Sequence, residues 1–408
     1  MKKSPKNMNF FKNAYCRTYQ AIFKLAMPLL PYREPVVLKN NEEVANVLKE
    51  NEIQNILLVT DKGLSKLDLY TPLVETLKKN NLNVFVYDET VPNPTTDNVD
   101  SALKIYKDKN CSAIIGFGGG SPIDCAKAVG ALIANPSKTL SQMKGVLKVR
   151  KKTPLIIAVP TTAGTGSETT IASVITDSKT RHKYAISDFP LIPSYALLDA
   201  SLTLGLPKSI TATTALDALT HAIEAYIGRS TTKQTRKYAL MAIKDIYQNL
   251  PVAYEHGKNK EAREKLLIAA YNAGLAFTKS YVGNIHAIAH TLGGKYNTPH
   301  GLANAVILPY MLEYYGKTIH KKLREIGIYI GILDESVSPE DGAKFVIKKI
   351  KNLCEEVGIP KSIPEIEEKD IQSLARTAEK EANPLYPVPV IMSKKEFEKM
   401  YHKIKNGK

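Results

Sequence analysis

The sequence predicts a chain of two domains, an α/β half built on a parallel sheet followed by an all-helical half, and three features carry that prediction. At 408 residues the chain exceeds what one ordinary core absorbs and fits two domains of common size. From about residue 53 to 200, short β-branched runs alternate with stretches of helical spacing, the pattern of strands joined by crossover helices. After Leu206-Pro207 the character changes to long Ala-, Lys-, Glu- and Leu-rich stretches at a 3.6-residue period, with no convincing strand. The expected boundaries are 1–33 for a basic amphipathic extension, 34–206 for the α/β domain and 207–408 for the helical one.

Residues 1–33 carry seven Lys or Arg and no acid around an apolar stretch, Ala21-Ile22-Phe23 and Leu25-Ala26-Met27. Lys24 interrupts that stretch and Pro28 and Pro31 close it. No small-residue cleavage site follows, so a signal peptide is not indicated. Residues 10–27 read as an amphipathic helix that docks on the protein or its partner subunit, with peripheral membrane contact the weaker alternative. The strands expected next are Ile56–Val59, Val84–Tyr87, Ala113–Gly116 and Leu155–Val159, with helices over Leu64–Asn80 and Thr96–Lys109 between them. Breaks in the helical half are expected at Pro251, Pro309, Pro339 and Pro360. No internal repeat or low-complexity segment is present.

Formal charge is 56 basic minus 40 acidic residues, or +16. A surplus of that size raises the question of a nucleic-acid or anionic-membrane partner. Only nine of the basic residues are Arg, scattered from Arg17 to Arg376, and there is no Trp and no basic run interleaved with aromatics, so a Lys-coated solvated surface is expected and nucleic acid is not. Cys16, Cys111, Cys125 and Cys354 lie far apart without a CxxC pair, which argues against a disulfide framework or thiolate metal site and suits a reducing cytoplasm.

Two turns carry chemistry in the first half. Gly116-Phe117-Gly118-Gly119-Gly120-Ser121-Pro122-Ile123-Asp124 follows a strand and opens a helix read as Cys125–Ala134. Glycine permits a tight turn and close approach to a ligand, Ser121 can cap the helix, Pro122 suits its first turn, and Asp124 sits where it answers the exposed amides. Such a helix start attracts phosphate. A plain strand-to-helix turn is the bland alternative, and the run is not a GxGxxG fingerprint. A second turn, Pro160-Thr161-Thr162-Ala163-Gly164-Thr165-Gly166-Ser167-Glu168, follows the next strand at the same carboxyl edge, where open α/β sheets gather ligands. Together they point to a Rossmann-like dinucleotide site. Asp61, ending the first strong strand, is then placed to accept from a ribose 2′-OH, although alone it reads as an ordinary turn residue.

In the second half Asp217-Ala218-Leu219-Thr220-His221 sets a carboxylate and an imidazole one helical turn apart. His286-Ala287-Ile288-Ala289-His290 repeats the spacing, and Pro299-His300-Gly301 adds a His on an expected turn. A lone His on an apolar face is usually a satisfied core residue, but a carboxylate and several imidazoles beside Ala218, Ala222, Ala287, Ala289, Gly293 and Gly294 leave room for a ligand. The set suits Fe(II), Zn(II) or another first-row ion, and spacing does not choose between His286 and His290. Neither HExxH nor a Gly-x-Ser-x-Gly elbow occurs.

Over residues 34–393 these motifs, in this order and with Pro92-Asn93-Pro94, resemble the iron-containing (group III) alcohol dehydrogenases, which include lactaldehyde reductases, butanol dehydrogenases and 1,3-propanediol dehydrogenases. The resemblance implies Asp217, His221, His286 and His300 as metal ligands and His290 as a catalytic residue near the nicotinamide. It implies cofactor contacts at Asp61, Asn93, Gly119, Gly120, Ser121, Thr161, Thr162, Thr170, Lys183, Leu202 and Gly205. NAD and Fe(II) are the implied cofactors, with Zn(II) or another divalent ion as alternatives, acting on a primary alcohol, aldehyde or small diol; a homodimer or higher homo-oligomer in the cytoplasm is expected, without a nucleic-acid or membrane partner. Ala172 stands where relatives often carry a larger apolar residue, and the leading 30 residues depart from the shorter members. Glycerol dehydrogenase and dehydroquinate synthase share the layout, but Asp-Ala-Leu-Thr-His is the alcohol dehydrogenase form. A non-catalytic nucleotide- or metal-binding protein is the reading from another class, and the intact ligand set speaks against it.

Overall fold

The computed structural model describes residues 10–407, so residues 1–9 of the basic extension lie outside the described residues. The chain forms two compact units, one of Pro31–Gly205 and one that joins the segment up to Leu30 with the chain from Leu206 onward. Helix α1 (Phe10–Ala26) belongs to the second of these.

The contiguous unit contains β1 (Val36–Leu38), α2 (Asn41–Glu50), β2 (Asn55–Val59), α3 (Lys62–Lys66), α4 (Thr71–Lys79), β3 (Asn83–Tyr87), α5 (Thr96–Asp108), β4 (Ala113–Gly118), α6 (Gly120–Ala134), β5 (Gly145–Val146), β6 (Leu155–Pro160), β7 (Ala172–Thr176), β8 (Lys183–Ser187) and β9 (Tyr195–Leu197). Its main sheet has six parallel strands in the order β1-β9-β6-β4-β2-β3. Because side chains alternate along a strand, Leu57, Val59 and Ile114 join one buried cluster with Val99, Ala126 and Val129, while Ile56, Leu58, Ile115 and Phe117 join another with Leu48, Leu73 and Leu77. Helices cover both faces, which is why these strands read as continuous apolar runs. Register sets Val59 beside Gly116 and Gly118 beside Pro160, so the turns after β2, β4 and β6 emerge side by side at one edge.

Several details differ from expectation. The helix expected over Leu64–Asn80 is two, α3 and α4, separated at Asp68, whose φ of 51° no α-helix tolerates. The glycine turn enters α6 at Gly120 instead of Cys125, with Gly119 at the cap position and no side-chain cap, so Ser121 is a first-turn residue. A small sheet in the order β5-β8-β7 went unforeseen because its strands are short and half-buried.

The helical unit continues with α7 (Lys208–Ile227), α8 (Lys233–Glu255), α9 (Lys260–Ser280), α10 (Asn284–Tyr296), α11 (His300–Tyr315), α12 (His320–Tyr329), α13 (Pro339–Glu356), α14 (Ile371–Ala382) and α15 (Lys394–Asn406). Pro251 and Pro309 lie inside α8 and α11 instead of breaking them, whereas Pro339 opens α13. Proline at 309 removes the N–H that would bond the Ala305 carbonyl, and the Cys354 thiol donates to that carbonyl instead, at 3.9 Å. Among the described residues no helix is long and apolar enough to cross a membrane, and all four cysteines are free and buried.

A buried ammonium fixes the second edge turn. Lys127 Nζ lies within 3.2 Å of five oxygens, the carbonyls of Ser167, Thr170 and Ala172 and the hydroxyls of Ser167 and Thr170. Burial lowers its pKa to about 8, against the pull of Asp124 and Glu168. Lys127→Met should cost about 2–4 kcal/mol, because it orphans acceptors that water cannot reach. Urea unfolding measures this, and a loss under about 1 kcal/mol would mean that the turn holds without it.

Candidate metal centre and cofactor turns

Helix α7 presents Asp217 and His221 one turn apart on a buried face. Helix α10 brings His286, and His300 opens α11 as its first residue instead of sitting in a loop. Glycine at 301 permits that approach, since a Cβ there would lie 2.3 Å from the Thr213 carbonyl oxygen on α7. One donor atom from each of Asp217, His221, His286 and His300 falls within 4.8 Å of the others. Asp217 Oδ1 is 3.4 Å from His300 Nε2 and 3.9 Å from His286 Nε2. An ion about 2.1 Å from each donor would set them roughly 3.4 Å apart in a tetrahedral arrangement, so the spacing fits a single divalent ion with slight closure.

The electrostatics agree with that fit. Burial lowers the pKa of His221, and burial with the neighbouring imidazoles holds that of His286 well down, which keeps both in the neutral, ligating form. His221 stacks between Phe277, 4.1 Å away, and His286, 4.4 Å away, and its Nδ1 is buried with no hydrogen-bond partner. Asn304, one turn along α11 from His300, donates Nδ2 to Asp217 Oδ1 at 2.6 Å, and the same nitrogen lies 3.1 Å from Nε2 of both His286 and His300. A carboxylate oxygen and two ring nitrogens therefore face one amide nitrogen.

Glu224 completes the arrangement from behind. Its carboxylate accepts from the backbone N–H groups of Gly283 at 2.8 Å and Ile285 at 2.9 Å and meets His286 Nδ1 at 2.6 Å. A proton on Nδ1 leaves Nε2 as the lone-pair nitrogen facing Asp217. Burial pushes the Glu224 carboxyl up to about 7, and the backbone amides of Ile285, Gly283 and His286 oppose the rise. His290 lies one turn beyond His286, with Nδ1 2.5 Å from Glu381 Oε1, to which Tyr386 also donates at 2.8 Å.

In the sheet unit, Gly119 and Gly120 begin α6, Thr161 donates its N–H to the Gly118 carbonyl, and Thr162 lies against Gly119. Asn93, at φ 58°, donates its N–H to Ser121 Oγ at 3.2 Å and accepts from Lys183 Nζ at 2.6 Å, which groups three expected cofactor residues. Asp61 caps α3 through Oδ1, which accepts from Leu64 N at 3.0 Å. Thr170 is buried against Lys127, Leu202 packs on the sheet's core, and Gly205 ends the unit with open space around it. Asp124 does not answer the α6 amides as expected; it accepts from Ser167 Oγ and Val174 N instead.

Comparison with known proteins extends this geometry. Residues 37–200 match the family model for iron-containing alcohol dehydrogenase, and residues 211–405 match that for the C-terminal part of the Fe-containing alcohol dehydrogenase family. The chain is 38% identical over 331 residues to 1,3-propanediol dehydrogenase of Citrobacter freundii, covering 80% of this chain and 85% of that protein. It belongs to the iron-containing alcohol dehydrogenase family. An NAD-dependent methanol dehydrogenase of Bacillus methanolicus is 34% identical over 83% of this chain and 89% of its own length. The solved alcohol dehydrogenase from Oenococcus oeni superposes with a TM-score of 0.88 at 32% identity, covering 92% of this chain and all of that one. Membership makes the chain an oxidoreductase with a parallel-sheet unit and a helical unit, as observed.

Within this iron-type alcohol dehydrogenase, Glu224, Asn304 and Glu381 were missed by sequence reasoning. Glu224 continues the Asp217–His221 stripe at helical spacing, and Asn304 follows His300 by four. Glu381 is 91 residues from His290 and leaves no local signal. His286→Ala should abolish retention of an added divalent ion, and Glu224→Gln should weaken it roughly 10- to 100-fold by loosening the imidazole. Chelator competition followed by elemental analysis reads both, and wild-type affinity in Glu224→Gln would reduce that residue to a helix clamp.

Proposed function

We propose that the chain interconverts a small primary alcohol or diol and its aldehyde, with NAD as hydride carrier and a divalent ion, Fe(II) first and Zn(II) next, held by Asp217, His221, His286 and His300. The observation that carries this reading is the convergence of those four donors in a buried pocket. When bound, the ion supplies Lewis-acid polarisation of the substrate oxygen and NAD supplies the hydride acceptor.

The chain's own residues supply charge and position. One carboxylate and three imidazole ligands cancel only part of a divalent charge, which leaves the site electron-withdrawing. The uncapped start of α6 offers backbone N–H groups to a pyrophosphate, with Asn93, Ser121 and Lys183 beside it. His290, paired through Nδ1 with Glu381, keeps Nε2 as the acceptor for the alcohol proton on its way to solvent. The buried free thiols support a reducing, cytoplasmic setting, and a homodimer is part of the same proposal.

The test is an anaerobic assay of apo-protein given Fe(II), Zn(II) or neither, with NAD and a panel of two- to six-carbon alcohols and 1,2- or 1,3-diols. NAD reduction should depend on the ion, and His290→Ala should keep the ion while losing at least about 100-fold in turnover. An ion-loaded protein that reduces NAD with none of these substrates refutes the reading.

Asp61 should set a preference for NAD over NADP, because its charge opposes a 2′-phosphate. The helix cap it makes calls for a substitution that keeps the cap, so Asp61→Asn is the clean probe. That change should relax the preference by about 2 kcal/mol, or roughly 30-fold in the ratio of kcat/KM values. An unchanged ratio would leave Asp61 as a cap alone.

A further inference from the structure

Residues 383–392, between α14 and α15, form irregular chain with Pro384, Pro387 and Pro389 among them. Proline has no N–H, so the segment can bond few of its own carbonyls and must find donors elsewhere. Helix α1 supplies most of them. Gln20 Nε2 donates to the carbonyls of Pro384 at 3.3 Å and Tyr386 at 2.7 Å, and the Arg17 guanidinium forks onto those of Val388 at 2.7 Å and Pro389 at 2.9 Å. Arg17 also donates to Gln20 Oε1 at 2.9 Å, which turns the buried amide so that its N–H groups face the segment. The helix therefore docks, as the sequence leads one to expect, but through polar anchors and not through its apolar stripe.

What these anchors hold leads to the candidate site. The Tyr386 hydroxyl donates to Glu381 Oε1 at 2.8 Å, and the same oxygen lies 2.5 Å from His290 Nδ1. Glu381 is 28% exposed, so its carboxylate has room to change rotamer, and a buried hydroxyl on that oxygen selects one position. Burial and the Glu381 charge push the Tyr386 pKa well up, which keeps the hydroxyl a donor. A second path runs through rings: Phe23 of α1 packs edge-on against Tyr281 at 4.9 Å, and Tyr281 lies 6.4 Å from Tyr386. All of these residues belong to the helical unit. The family match covers residues 37–200 and 211–405, so the clamped segment lies inside the shared region and its clamp lies outside it.

We propose that α1 is a brace for His290: Gln20 and Arg17 hold residues 383–392, Tyr386 on that segment holds Glu381, and Glu381 fixes the orientation and tautomer of the imidazole. This rests on the reading of His290 as acceptor of the alcohol proton. Gln20, Arg17, Tyr386 and Glu381 are then positioning residues, acting in series through one side chain.

The experiment is a double-mutant cycle on the ion-loaded, full-length enzyme with NAD and the best alcohol of the panel, reading kcat, KM for NAD and ion content. Arg17→Met/Gln20→Leu should lower kcat about 3- to 10-fold and Glu381→Ala at least about tenfold, both with wild-type KM for NAD and full ion content. Residues in series do not add. Combining the α1 changes with Glu381→Ala should therefore cost less than about twofold beyond Glu381→Ala alone. Nitrogen NMR shifts of the His290 ring in Zn(II)-loaded protein give a readout that needs no turnover: the wild type should carry the proton on Nδ1, and the α1 variant should show a mixture of both tautomers. Tyr386→Phe removes one hydroxyl and leaves α1 docked, so it should reproduce both effects with a wild-type melting temperature. An α1 or Tyr386 variant with wild-type kcat and His290 spectrum, or losses that multiply in the combined variant, overturns the brace. Wild-type turnover in His290→Ala overturns instead the reading of His290 on which the brace rests.

Discussion

Everything in the helical unit's candidate centre is referred to one face of α7. Asp217, His221 and Glu224 follow one another on it by four and three residues, so a single helix supplies two donors and the carboxylate that orients a third. Glu224 binds the start of α10 by two backbone amides as well as by the imidazole, which ties the position of a helix and the tautomer of its His to the same group. The fourth donor reaches α7 because Gly301 has no side chain to hold α11 away. Burying that carboxylate is costly, and three donors aimed at it offset the cost.

The sheet unit uses the same device with the sign reversed. Lys127 gathers carbonyls from Ser167, Thr170 and Ala172, three points of a turn that has few backbone bonds of its own. Backbone in irregular conformation must find partners for its polar groups, and one buried ammonium satisfies several at once. Each unit thus shapes its polar segment with one buried charge bonded to main chain, and surface ion pairs play a minor part.

Much of this was legible in the sequence. Strands buried on both faces are apolar along their whole length, which made β2, β4 and β6 easy to read, and Asp217–His221 showed its helical spacing directly. The small sheet stayed hidden because Ala172–Thr176 and Lys183–Ser187 are half-buried and mixed in character. Pro251 and Pro309 misled because packing against neighbouring helices outweighs the local penalty of proline. Spacing left His286 and His290 equivalent, and the geometry separates them: the first is buried against Glu224, the second lies nearer solvent against Glu381. Contacts of the second kind, closed over 91 residues, have no periodicity to read.

The order of residues also bears on how the molecule is made. The sheet unit is one uninterrupted segment, whereas the helical unit needs both α1 and the chain from Leu206 onward. On a ribosome the sheet unit is therefore complete in sequence while its helical companion is still being translated. The partners of Gln20 and Arg17 lie at Pro384–Pro389, more than 360 residues later. At ~5–20 residues per second, α1 waits roughly 20–70 s for them. Throughout that interval the basic segment of α1 is tethered to the nascent chain without the carbonyls that hold Gln20 and Arg17, so residues made far later settle its place.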